Sequence, residues 1–236
     1  MVICGLHKTT LIDYPGKIAC VVFLHGCNFR CGFCHNPELV TEACKKENEI
    51  SEEEFFEFLD KRKGQLEGVC ITGGEPLIRM EEDFLKKIKE RGYLVKLDTN
   101  GTFPDKLRRL LERGLVDFVA MDIKADRDNY DKVTNVKVDL KKIEESIKTI
   151  VNHLEDYEFR TTIVKGIHNV EVVKNIGLWL NSVLDMKPKK LALQGFKNKG
   201  KLLDAQFKMK KDVDESYLKA LKAVADDYFE DVEIRV

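Results

Sequence analysis

Strand patterns and helix patterns alternate along this chain, and the alternation is what most limits the folds that it can adopt. Short apolar runs predict strands at 18–24, 69–72, 93–97, 116–123, 159–164 and 190–194. Apolar residues at helical spacing predict helices at 51–63, 81–91, 104–113, 140–152, 170–184 and 216–228, with a polar connection at 126–138 and a short final strand at 232–236. Repeated strand-then-helix units require parallel strands joined by crossover helices. Because six units fall short of a complete eight-unit barrel, we predict an α/β fold, a partial (β/α)6 TIM-like barrel in one domain over residues 1–236.

Polar or metal-binding residues lie at the carboxyl ends of five of the predicted strands. These residues are Cys27, Glu75, Asp98, Asp122 and Gln194. In barrels of this kind the working groups lie at the carboxyl ends of the strands. We therefore expect the five side chains to serve one functional site.

Three cysteines, Cys27, Cys31 and Cys34, occur with the spacing C-x3-C-x2-C in the loop after the first predicted strand. Thiolates are soft ligands that select zinc, copper(I) or iron–sulfur clusters. Three thiolates without a fourth cysteine nearby suit a cluster in which one iron is left open. A structural zinc site with His35 as the fourth ligand is the alternative, because Cys3His is a known closed zinc set. The adjacency of His35 to Cys34 makes that geometry awkward, so the spacing favours the cluster.

The stretch IDYPGKIACVVFLHGCNFRCGFCHNPEL, residues 12–39, resembles the radical S-adenosylmethionine (SAM) superfamily. Its lead-in DYPGK and its tail CHNPEL are similar to those of the glycyl-radical activating enzymes, above all the activator of anaerobic ribonucleotide reductase. The resemblance implies the radical SAM type of barrel and a [4Fe-4S] cluster held by Cys27, Cys31 and Cys34. It is strongest over residues 12–39 and 71–76.

The same resemblance implies which residues hold SAM. They are Phe33, His35, Gly73, Gly74, Glu75, Asp98, Asp122, Lys124 and Gln194. The sequence Gly73–Pro76 looks like the superfamily's GGE motif, which holds the SAM ammonium, and Lys124 is implied to contact the SAM carboxylate. Phe33 is implied to lie against the adenine. Considered alone, a Gly-Gly pair is an ordinary turn and Phe33 an ordinary core residue.

Asp98 and Asp122 have a second implied role. In a relative that activates pyruvate formate-lyase, the corresponding aspartates help to form a monovalent-cation site, which we carry over to Asp98, Thr99 and Asp122 as a hypothesis. Considered singly, either aspartate would be interpreted as a cap or a surface ion pair. Arg160 begins the fifth predicted strand, where the family often has an arginine. The sequence LALQGFKNKG near the sixth strand has no histidine, unlike pyruvate formate-lyase activators, and this favours the ribonucleotide reductase branch.

The resemblance implies the chemistry as well. SAM would chelate the open iron, and one-electron reduction would cleave it to methionine and a 5′-deoxyadenosyl radical that abstracts hydrogen from a glycine of a partner enzyme. The expected partners are a glycyl-radical enzyme, anaerobic ribonucleotide reductase above all, and a flavodoxin- or ferredoxin-type electron donor. No catalytic group beyond the cluster is expected. Two alternatives remain open: a radical SAM enzyme acting on a small molecule, such as a deazapurine-forming enzyme, and a zinc-stabilised binding module without catalysis.

The net charge and the cysteine pattern limit the cellular compartment and the classes of partner that we expect for this chain. With 40 basic and 41 acidic residues the net charge is −1, which gives no electrostatic footprint for nucleic acid. The seven cysteines are not laid out as a disulfide framework; Cys20 and Cys70 are predicted buried thiols, while Cys4 and Cys44 are too scattered to frame a second cluster. MVICGLHKTT lacks a signal-peptide core, and no apolar run approaches membrane-spanning length. We expect a cytoplasmic, reduced protein without a membrane partner, which suits an oxygen-sensitive cluster.

Overall fold

The computed structural model describes residues 2–41, 44 and 46–236. Its eight-stranded sheet follows chain order and consists of β1 (Ile3–Thr10), β2 (Ala19–Leu24), β3 (Gly68–Gly73), β4 (Leu94–Thr99), β5 (Phe118–Asp122), β6 (Tyr157–Ile163), β7 (Lys190–Gly195) and β8 (Asp231–Arg235). β1 is antiparallel to β2, whereas β2 to β4 are parallel, as are β6 to β8. The predicted α/β class and mostly parallel sheet are confirmed, and the strand order is that of a partial TIM-like barrel.

Helices are found at the six predicted places, and two five-residue helices, at Pro37–Thr41 and Tyr130–Thr134, were not predicted. The α-helices of the described residues are α1 (Pro37–Thr41), α2 (Glu52–Lys61), α3 (Glu82–Glu90), α4 (Pro104–Glu112), α5 (Tyr130–Thr134), α6 (Leu140–His153), α7 (Val170–Leu184) and α8 (Glu215–Ala225). α5 lies inside the segment that the sequence predicted as a polar connection. It ends at Asn135, whose φ of 58° is left-handed and stops the helix after five residues.

The strand β1 was not predicted. It is an antiparallel edge, where Ile3 is buried and the following residues are partly or fully exposed. The final strand at 232–236 is confirmed as β8.

The chain divides into two compact units. The first comprises residues 1–28, 38–99 and 105–119, and the second comprises residues 29–37, 100–104 and 120–236. The interpretation of residues 1–236 as one domain stays a prediction.

In the first unit, α2 and α3 bring aromatic rings together. The Phe84 ring lies 5.4 Å from the rings of both Phe55 and Phe56. α2 begins at a capping box, in which Ser51 accepts from the Glu54 backbone and Glu54 accepts from the Ser51 backbone. The ring contacts and the cap together fix how α2 and α3 pack against each other.

In the second unit, a buried carboxylate links β6 to β8. Glu158 on β6 is 1% exposed, and it accepts two hydrogen bonds from Arg235 on β8, at 3.1 and 2.7 Å. The Arg235 guanidinium also bonds Glu233. A bidentate guanidinium satisfies both oxygens of a buried carboxylate. Within the described residues, none of the helices has both the length and the apolar character needed to cross a bilayer.

Removing the guanidinium is expected to destabilise the second unit strongly. Arg235→Met leaves the Glu158 carboxylate buried beside an apolar side chain, which costs about 3 kcal/mol of unfolding free energy. Urea denaturation of the metal-free protein measures the loss. Lys219→Met is the matched control, because Lys219 pairs with Glu215 on the exposed face of α8, where such pairs contribute less than about 1 kcal/mol. Equal losses in the two variants would contradict the prediction.

Candidate functional site

The loops after β2 and β3 meet backbone to backbone in the first unit. The loop after β2 carries Cys27. The Gly74 N–H donates to the Leu24 carbonyl at 2.9 Å, and the Glu75 N–H donates to the Gly26 carbonyl at 2.7 Å. A Cβ at Gly74 would lie 2.2 Å from the Gly26 carbonyl oxygen. Only glycine therefore allows the GGE turn to approach the loop that carries Cys27 this closely.

The Glu75 carboxylate is held in a fixed position by two donors. Glu75 is 1% exposed, and its Oε1 accepts from the Leu77 N–H at 3.0 Å and from the Thr99 hydroxyl at 2.9 Å. Gly73, just before this turn, has a φ of 126° that other residues rarely adopt. The conformation of the motif is thus set by its own glycines and by the end of β4.

A buried lysine precedes Asp98 on β4. Residues two apart on a strand share a face, and the Lys96 ammonium forms an ion pair with Asp98 Oδ1. Lys96 is 1% exposed, and its Nζ also lies 3.7 Å from Cys70 Sγ. The sequence reasoning selected Asp98 and missed Lys96, although a charged residue inside the apolar run YLVKL was a usable signal.

In the second unit, Asp122 lies between two cations. Its Oδ1 accepts from Arg160 Nε at 2.8 Å and its Oδ2 from Lys124 Nζ at 3.0 Å. Burial would raise the pKa of Asp122, but Arg160 and Lys124 outweigh it and hold that pKa well below its usual range. Burial likewise would lower the pKa of Lys124, yet Asp122 keeps it above its ordinary value. Asp122 and Lys124 are therefore both charged at neutral pH, and Asp122 is a direct partner of Arg160.

The backbone of Lys124 is fixed by a histidine that the sequence reasoning did not consider. His168 is fully buried; its Nδ1 accepts from the Val164 N–H at 3.0 Å, so its Nε2 carries the proton and donates to the Lys124 carbonyl at 2.8 Å. Burial lowers the pKa of His168, which favours this neutral tautomer. The imidazole also meets the Phe33 ring edge-on, with centroids 6.5 Å apart. His168 thus links the predicted adenine-side residue to the predicted carboxylate-side residue.

The cysteine segment 27–34 begins in the first unit and ends in the second. Cys31 is buried, while Cys27 and Cys34 are partly exposed. Burial raises the pKa of the Cys31 thiol to about 11, against an opposing effect of Lys124. The thiol is therefore protonated in the metal-free chain, and metal binding has to release that proton.

Residues 196–213, which we call the strap, lie against the cysteine segment of the second unit. Backbone N–H groups of Leu203 and Asp204 donate to the carbonyls of Cys34 and Gly32, at 3.1 and 3.0 Å. A Cβ at Gly32 would come within 2.4 Å of the strap's aromatic ring at position 207. The glycine between Cys31 and Phe33 is therefore needed for the strap to lie this close.

Two predicted SAM contacts also touch the strap. The His35 Nε2 donates to the Lys197 carbonyl at 2.6 Å, and the Phe33 ring lies 6.0 Å from Phe207. Because its Nε2 already donates to a carbonyl, His35 is oriented by the strap in this structure. Gln194, on β7, is exposed, and its contact with SAM stays a prediction.

The remaining cysteines divide into two kinds. Cys20 and Cys70 are buried thiols, as predicted. Cys4 and Cys44, which the sequence interpretation treated as scattered, form a disulfide with their Cα atoms 5.5 Å apart. The expectation of a fully reduced protein is thus wrong for this pair, because the fold brings Cys44 next to Cys4 on β1.

The donor set of the cysteine segment fits an iron–sulfur cluster. Thiolates are the ligands that such clusters require, and each cysteine binds a separate iron. Among the residues that the structure describes, no three His, Cys, Asp or Glu side chains are arranged to hold a single metal ion.

Comparison with known proteins agrees with this donor chemistry. The Radical SAM superfamily matches residues 21–177. A Methanocaldococcus jannaschii protein, provisionally named a glycyl-radical enzyme activating enzyme, is 31% identical over 99% of this chain and 95% of its own length. The pyruvate formate-lyase-activating enzyme of Clostridium pasteurianum is 32% identical over 72% of this chain and 79% of its own length. This chain therefore belongs to the radical SAM superfamily, in the family of its glycyl-radical activating relatives.

Solved structures confirm the fold. The crystal structure of QueE from Escherichia coli matches with a TM-score of 0.61 at 14% identity and covers 100% of this chain and 93% of QueE. An identity this low supports the architecture alone. The superfamily uses a [4Fe-4S] cluster and SAM, so this chain is a radical SAM iron–sulfur enzyme.

The close approach at Gly74 makes a specific prediction. Gly74→Ala forces the Gly26 carbonyl to move and is expected to cost about 1–3 kcal/mol of unfolding free energy. The reconstituted variant should also bind SAM more weakly, because the GGE turn is displaced from the loop that carries Cys27. Denaturant melts and equilibrium dialysis measure the two effects. Gly5→Ala is the control, since its Cβ would lie at an ordinary 3.4 Å from Phe23; a Gly74→Ala chain indistinguishable from it would refute the argument.

Proposed function

We propose that this chain generates a glycyl radical on a partner enzyme, and that the partner is anaerobic ribonucleotide reductase. The observation that carries the proposal is the cysteine segment with its flanks, DYPGK before it and CHNPEL after it. The names of the relatives support the activating class. The choice of reductase depends on the flanks and on the missing histidine near β7.

Three cysteines, Cys27, Cys31 and Cys34, would hold the cluster. When bound and reduced, the cluster would supply the one electron needed to cleave SAM to methionine and a 5′-deoxyadenosyl radical, which would take hydrogen from the partner's glycine. The chain's own residues have other tasks: to bind SAM, to orient it and to exclude water.

Charge complementarity assigns these tasks. Lys124 presents a permanent positive charge, suited to the SAM carboxylate, and Asp122 and His168 fix its side chain and its backbone. The GGE turn, which Glu75 holds rigid, presents backbone carbonyls suited to the SAM ammonium. Phe33 is buried between cysteines and offers an apolar ring to the adenine. Such fixed groups cost no reorganisation when charge shifts during the reaction.

The proposal also includes an electron donor, a cellular compartment and a role for the partner enzyme. A flavodoxin- or ferredoxin-type protein supplies the electron, and the chain works in the cytoplasm under anaerobic conditions. The partner enzyme brings its glycine to the radical and keeps water out.

Electron paramagnetic resonance tests the function directly. Reconstituted, reduced protein is mixed anaerobically with SAM and the anaerobic ribonucleotide reductase of the same organism, and we expect a glycyl-radical doublet on the reductase. SAM cleavage without the doublet would reject this partner and direct the search to other glycyl-radical enzymes or to a small-molecule substrate. Zinc at one per chain, with no iron after anaerobic reconstitution, would reject the enzyme altogether.

The cysteine assignment has its own prediction. Cys31→Ser should lose bound iron and SAM cleavage, because a hydroxyl replaces the soft thiolate of a buried ligand. Iron and sulfide analysis after reconstitution measures the loss. Cys20→Ala, which alters a buried thiol outside the motif, should keep both. Full iron content in the Cys31→Ser chain would contradict the ligand set.

A further inference from the structure

The buried Lys96 ammonium has no role in the proposed chemistry and needs an explanation. The Lys96 side chain is 2% exposed. It lies on β4 of the first unit, paired with Asp98, 3.7 Å from Cys70 Sγ and 6.0 Å from the centre of the Phe118 ring. The charge is thus held away from bulk water beside a carboxylate, a thiol and an aromatic ring.

A buried ion pair is a poor means of stabilising a fold. Desolvation of the two charges commonly offsets their attraction, and apolar residues of the same volume are often as stable or better. A methionine at position 96 would fill the same space without that cost. The positive charge therefore serves the carboxylate, not the packing.

The carboxylate in question belongs to the predicted SAM-binding set. Asp98 is the penultimate residue of β4, and its side chain is 14% exposed. Next to it, the Thr99 hydroxyl is oriented toward Glu75 of the GGE turn. A negative charge at this place needs a counter-charge that stays in position whether or not SAM is bound.

We propose that the Lys96 ammonium is the resident cation of Asp98, so that this chain binds SAM without a monovalent metal ion at that carboxylate. Lys96 is then a positioning residue that acts through Asp98. The inference rests on the proposed function only in taking SAM as the ligand. It replaces the expectation that Asp98, Thr99 and Asp122 hold a potassium or sodium ion.

In the second unit, Asp122 likewise has positively charged side chains of the protein as its partners. Arg160 bonds one of its carboxylate oxygens and Lys124 the other. Its negative charge is thus already balanced by two side chains of the chain itself. Each aspartate of the expected cation site has protein cations as direct partners.

The experiment varies the cation of the dissolved salt and, separately, removes the Lys96 ammonium by substitution. SAM affinity of the reconstituted chain is measured by equilibrium dialysis in potassium, sodium or choline chloride at equal ionic strength. The native chain should vary by less than about twofold between the salts. Lys96→Ala, which opens the space around Asp98, should bind SAM about tenfold more weakly in choline and regain most of that affinity in potassium or ammonium.

Two further variants separate charge from packing. Lys96→Met fills the space without charge, so it should lose affinity and not be rescued by any salt. The double variant Lys96→Ala with Asp98→Asn should lose the salt dependence, because no carboxylate is left to neutralise. Melting temperatures of the metal-free chains in the same salts give a readout that needs neither cluster nor turnover: only Lys96→Ala should be stabilised by potassium over choline.

Lys89→Ala is the matched control. Lys89 forms an ion pair with Asp117 in the same unit, and its removal should lower stability equally in every salt and leave SAM affinity unchanged. The proposal is overturned if the native chain loses SAM affinity when potassium and sodium are replaced by choline, or if Lys96→Met binds SAM as the native chain does. Failure of the native chain to cleave SAM would instead count against the proposed function, while the metal-free melts would still decide the role of Lys96.

Discussion

The buried charges on the parallel strands occur in pairs of opposite sign, and much of the structure follows from that requirement. A strand that places a charge inside a sheet is stable only if a partner lies within reach. On β4 the partner of Lys96 is two residues away on the same strand. In the second unit the partner of Asp122 comes from the neighbouring β6, as Arg160, and Glu158 is held by Arg235. Each pairing fixes side chains at defined depths, which gives the strand ends a rigid base.

The repeated strand-then-helix pattern was enough to predict the fold class, since period and length are local properties of the sequence. Strands and helices whose sequence shows no clear hydrophobic period were not predicted. β1 is an edge strand whose burial pattern does not alternate, and α5 has five residues, too few to show a helical repeat. Both are defined by tertiary partners: β1 by pairing with β2, and α5 by the burial of Tyr130 and Val133.

Motifs of the candidate site could be located in the sequence where they are short runs of consecutive residues, as in Gly73, Gly74 and Glu75. The role of these residues in binding SAM stays a prediction, and their contacts with Gly26 and Thr99 were seen only in the structure. Contacts made by irregular backbone were not predictable. The strap touches the cysteine segment through main-chain hydrogen bonds to Cys34 and Gly32, and main-chain bonds of a loop leave no signature in side-chain identity. His168 was not predicted for a related reason: its role depends on the Lys124 carbonyl, which its Nε2 contacts only in the folded chain.

The disulfide between Cys4 and Cys44 spans 40 positions, and all three cysteines of the cluster motif lie between its ends. When the bond is formed, the motif sits inside a covalent ring; when it is reduced, the motif is part of an open chain. In the chain-entropy description, a ring of this size removes about 4 kcal/mol of disorder from the unfolded segment. Reduction of the bond would restore that disorder to the unfolded segment that carries the three cysteines.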